Sequence, residues 1–101
     1  MAESAPFDWL CTELESRTDL SLLQARGTVR LALKASGLDA ATVRAEELAV
    51  VLERVLPNEL ATRGVDDSEG LTTSLASQIR AMSFAGEGAE APDRVFERLG
   101  G

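Results

Sequence analysis

Arg26, Arg30 and Lys34 recur at every fourth position, so on a helix they would line one face as a basic strip. The chemistry open to such a strip is recognition: its cations hold carboxylates or phosphates and do not by themselves break bonds. Like charges on one face repel mildly, so something acidic should lie opposite. Two sources fit, an acidic partner or this chain's own surplus of Asp and Glu. Other chemistry-bearing residues are scarce. The chain has no histidine, which removes the usual proton shuttle and metal ligand at neutral pH. Its single cysteine, Cys11, shares an apolar stripe with Phe7, Leu10 and Leu14, where a thiol acts as a small buried hydrophobe. No glycine-rich phosphate loop occurs, and Asp66, Asp67 and Glu69 lack the alternating spacing of a calcium loop. The expectation is a protein that is not an enzyme and that uses no cofactor and no metal.

Residues suited to contact stand out more clearly. Trp9 is the sole tryptophan and lies off the Phe7–Leu10–Leu14 stripe, so the first helix must cover two surfaces or leave an aromatic for a partner. At the other end, Val95, Phe96 and Leu99 make a short amphipathic segment, too short to be stable unless it docks on its own bundle or in a partner's groove. The expected partner-binding set is Phe7, Trp9, Arg26, Arg30, Lys34, Val95, Phe96 and Leu99.

Two further stretches resemble known motifs. Residues 34–48, KASGLDAATVRAEEL, are similar to a DNA-reading helix-turn-helix, with Gly37 as the turn glycine and Leu38 and Val43 at its apolar positions. That resemblance covers about a fifth of the chain and would make residues 39–50 the reading segment, with Arg44 as a contact. The pattern departs at Leu33, where a small residue is usual, and at Glu46, where an apolar one belongs. Glu46 and Glu47 would also set carboxylates against the groove. The pair Asp67-Ser68 resembles the Asp-Ser of acyl carrier proteins, which implies a phosphopantetheine arm on Ser68, but Glu69-Gly70 follows where an apolar residue belongs. The terminal Gly100-Gly101 is similar to the tails of sulfur carriers and ubiquitin-like proteins, whose folds are strand-rich.

The elements that must position these residues read as helices throughout. Ser4 caps a first helix with Pro6 near its start, where a missing N–H costs nothing. Thr18 and Asp19 are candidate caps for a second, which runs to about Ser36 and stops at Gly37. Its apolar residues Leu20, Leu22, Leu23, Ala25, Val29, Leu31, Ala32 and Leu33 cover most of the circumference, which predicts a central helix. Asp39 or Thr42 caps a third, carrying Val43, Leu48, Val51, Leu52, Val55 and Leu56 until Pro57 interrupts it. The stretch PNELATR adds a turn or two, with Gly64 as its stop. Asp66-Asp67-Ser68-Glu69 looks like a capping-box start for a fourth helix with Leu71, Leu75, Ile79 and Met82 along one face. Residues 85–91, AGEGAEA, read as a flexible linker, and Pro92 opens a short final helix over 92–101.

The fold class expected is all-α: a compact bundle of four main helices over residues 1–84, with the short C-terminal helix tethered by the Gly-rich linker. Neither strand alternation nor a solenoid repeat appears. With 101 residues and a net charge of −7, the chain suits one domain whose field repels nucleic acid. The N-terminus lacks a basic run before an apolar stretch, and one cysteine fits a reducing compartment, so a bacterial cytoplasmic protein is expected, with no membrane contact. The function expected is an adaptor or regulatory domain that recognises a protein partner by its surface. A homodimer through a helical face is a second form of that partnership.

Overall fold

The computed structural model describes residues 3–82, and within them the chain forms five helices and no strands. Helix α1 (Ala5–Arg17) starts where Ser4 accepts a hydrogen bond from the Phe7 backbone N–H, with Pro6 in its first turn. It buries Phe7, Leu10, Cys11 and Leu14 as their spacing requires. Helix α2 (Leu22–Ala35) is capped by Ser21, whose hydroxyl accepts from the Gln24 N–H while the Gln24 side chain accepts from the Ser21 N–H. Thr18 instead closes α1 by donating to the Leu14 carbonyl, so neither Thr18 nor Asp19 caps α2. Gly37 ends α2 with a φ of 75° and lets the Leu38 N–H reach back to the Leu33 carbonyl.

Helix α3 (Ala45–Arg54) begins later than the apolar spacing suggests. Asp39 spends its carboxylate on the Ala41 N–H, building a local turn, and neither it nor Thr42 caps the helix. Val43 is buried from that turn, outside any helix. The first turn of α3 is closed by Glu47, which accepts from the Arg44 N–H. Pro57 separates α3 from α4 (Leu56–Thr62), sitting in the first turn of α4, where it has no donor to lose. Gly64, at a φ of 84°, stops α4 and lets the Val65 N–H bond to the Leu60 carbonyl.

Helix α5 (Ser68–Ala81) starts without the expected capping box. Asp67 occupies the cap in the left-handed region, at a φ of 51°, and its side chain makes no capping bond. Its carboxylate lies over Gly70, where a Cβ would stand only 2.4 Å from an Asp67 oxygen. Ser68 is the first helical residue and is buried, so it is not the cap.

The core is aliphatic, with Leu10, Leu14, Leu48, Leu52, Leu56, Leu60, Leu75 and Ile79 all out of solvent. Helix α3 touches each of the other four helices and packs most extensively on α5, which makes α3 the central element. Helix α2, expected at the centre, lies to one side and packs chiefly on α1. It buries Ala25, Thr28, Val29, Ala32 and Leu33 and turns the rest of its apolar surface outward. The expected linker and C-terminal helix, with Val95, Phe96 and Leu99, lie outside the described residues.

Candidate protein-interaction surface

The basic strip does form along α2, and an acid meets most of it. Glu3, in the extended run before α1, bridges Arg26 and Arg30, and Asp8 adds a longer contact of 3.4 Å to Arg26. Both guanidinium groups stack over the Phe7 ring, at 5.5 and 5.7 Å from its centre. Arg26 and Arg30 therefore clamp α1 to α2. The hydrogen bond from Arg26, helped by Arg30, holds the Glu3 carboxyl below its ordinary range, and Glu3 in turn raises Arg26. Phe7 is 0% exposed beneath this clamp, so it belongs to the core and offers no surface to a partner. Trp9 is half-buried and packs against that same core.

Lys34 stands apart. It is exposed one turn beyond Arg30, and none of the ion pairs among the described residues uses it. Beside it opens a shallow groove lined by Leu20, Gln24, Gly27, Leu31, Lys34 and Arg63, mostly apolar and without an acid. Leu31 is 53% exposed on its wall, and Leu23, on the same row of α2, is 79% exposed. Between them, four residues after Leu23 and four before Leu31, lies Gly27, around which a Cβ would meet nothing within 4 Å among the described residues. Spacing of this kind places Leu23, Gly27 and Leu31 along one line of the helix surface.

Leu23, Gly27 and Leu31 did not stand out as contact residues in the sequence, although a signal was there. An apolar circumference wider than one packing face, interrupted by a mid-helix glycine, marks a helix with a second surface to cover. A smaller apolar groove runs between Leu38, Val50, Val51 and Val55, with Glu47 and Arg54 at its edge.

The other expected sites are arranged less favourably. Helix α2 ends at Ala35 and α3 begins at Ala45, so nine residues separate them, against about three or four in a DNA-reading helix-turn-helix. Glu46 and Glu47 fall in the first turn of α3. Ser68 is only 9% exposed at the start of α5, where a prosthetic arm would need an open hydroxyl. Cys11 is buried, and loss of solvation pushes its thiol up to about 12, so it stays protonated at neutral pH. Among the described residues no group of three or more His, Cys, Asp or Glu is placed to hold a metal ion, and no helix is long and apolar enough to cross a membrane. Comparison with protein-family models, curated proteins and solved structures finds no match to the chain.

Proposed function

We propose that this chain is a small non-catalytic interaction domain, of adaptor or regulatory type, that recognises a protein partner through the outer face of α2. One observation carries the reading: Leu23 and Leu31 stand exposed on either side of Gly27, with Lys34 at the end of the row. Large apolar side chains that a small domain leaves in water at helical spacing are a docking row for another helix. Arg30 and Lys34 on the rim favour a neutral or acidic partner and give orientation more than affinity. Phosphate-backbone binding gains little support, because the chain carries −7 overall and two of the three strip cations are already spent on Glu3.

The segment over 92–101, with Val95, Phe96 and Leu99 on the 85–91 linker, is proposed as a second, tethered contact to the same kind of partner. The reducing, cytoplasmic setting of a bacterial cell fits the single thiol and belongs to this proposal. Affinity capture from cells of the source organism tests the main surface. The chain and its Leu23→Gln, Leu31→Gln double variant are compared at equal loading. A protein held by the parent and lost by the variant supports the reading; identical capture by both overturns it.

A further inference from the structure

We infer that the occupant of the α2 outer face is a second copy of this chain, its α2 laid antiparallel across the first with the two-fold axis at Gly27. The inference rests on the reading of that face as an interaction surface and names what covers it. Gly27 is the starting point. A glycine inside a helix costs about 0.5–1 kcal/mol relative to alanine, and nothing among the described residues asks for it, since a Cβ there would meet none of their atoms within 4 Å. A close approach by another backbone, from outside the molecule, is what a missing side chain at that point permits.

The pattern around Gly27 is self-complementary. In an antiparallel pair crossing there, each residue faces the one equally far on the other side of Gly27. Leu23 of one copy meets Leu31 of the other, twice, which covers the two large side chains this face leaves in water. Arg30 falls level with Gln24, while Arg26 is held by Glu3 and Asp8 over Phe7, to one side of the crossing line. Lys34 faces Leu20, within side-chain reach of Asp19. Both Lys34 and Asp19 are exposed, and neither takes part in the ion pairs among the described residues. Helix α2 itself carries three cations and no acid, so a parallel arrangement would set Lys34 against Lys34; the antiparallel one sets it against the acid before the N-terminus. The 14 residues of α2 span about 21 Å. A single such pair sits at the small end of specific interfaces, which points to a dissociation constant between about 1 µM and 1 mM.

Sedimentation of the purified full chain over that range of concentration, in physiological salt, tests the inference. The expected result is a monomer–dimer equilibrium. Gly27→Leu blocks the crossing and leaves a monomer at every concentration, with helical content and melting intact because the position is open. Lys34→Glu and Asp19→Lys each weaken the dimer by about tenfold, and the two together restore it. A chain that stays monomeric throughout overturns the inference, as does a dimer indifferent to Gly27→Leu or a charge swap that fails to recover. In those cases the capture experiment with Leu23→Gln, Leu31→Gln decides separately whether the face serves a different protein.

Discussion

Glu3 does more than any other surface carboxylate described, because it answers two arginines at once and holds them over Phe7. Its carboxyl lies below the ordinary range in the fold, so the folded state binds that proton more weakly than the unfolded one. The contribution is therefore complete above the unfolded glutamate value and is lost as pH falls through the folded one. Glu3→Gln should lower the unfolding midpoint at pH 7, and the gap between variant and parent should close in acid below the carboxylate range. A gap that persists unchanged would mean that the pairing contributes nothing. Cys11 carries the opposite sign. Burial raises its pKa to about 12, so the fold prefers the thiol and loses stability as pH climbs past the unfolded thiol value. A disulfide-exchange reagent at pH 8 should label Cys11 no faster than the protein unfolds; rapid labelling of the folded chain would contradict its burial. The strip and its need for an acid were legible in the residue types. Glu3 was not, because it precedes the first helix and no periodicity says what an extended residue will reach.

At the scale of the elements, glycines and caps divide into two groups with opposite expected effects. Gly37 and Gly64 hold positive φ, so alanine there should cost about 1 kcal/mol each. Gly27 is ordinary helix, and alanine there should add about 0.5–1 kcal/mol. Ser21→Ala should remove about 1 kcal/mol with its half of the capping box. Denaturant midpoints of these variants check all four signs. The glycine stops and the Ser4–Pro6 start were readable because each follows from one local rule. The start of α3 was not, since Asp39 could serve a helix or its own turn, and the anchoring of Val43 in that turn decided for the latter. Asp67 misled for a similar reason: its carboxylate bends over Gly70 rather than capping α5.

For the whole molecule, the informative mismatch is the place of α2. Its wide apolar surface suggested a central helix; the fold gives the centre to α3, which contacts all its neighbours, and leaves Leu23 and Leu31 facing water. Pattern alone cannot tell a buried helix from a peripheral one with a partner, since both must be apolar on more than one side. Helices α1–α5 close a core of their own, so deleting residues 86–101 should leave helicity and cooperative melting in place. Loss of the transition would show instead that the C-terminal segment completes the core. The central claim, that the outer face of α2 meets another protein, is tested most directly by a photo-cross-linking residue at position 31 in cells, with the same group at exposed Thr73 of α5 as control. The account predicts a discrete adduct from position 31 and none from position 73. Equal labelling at both, or none at 31, would contradict it.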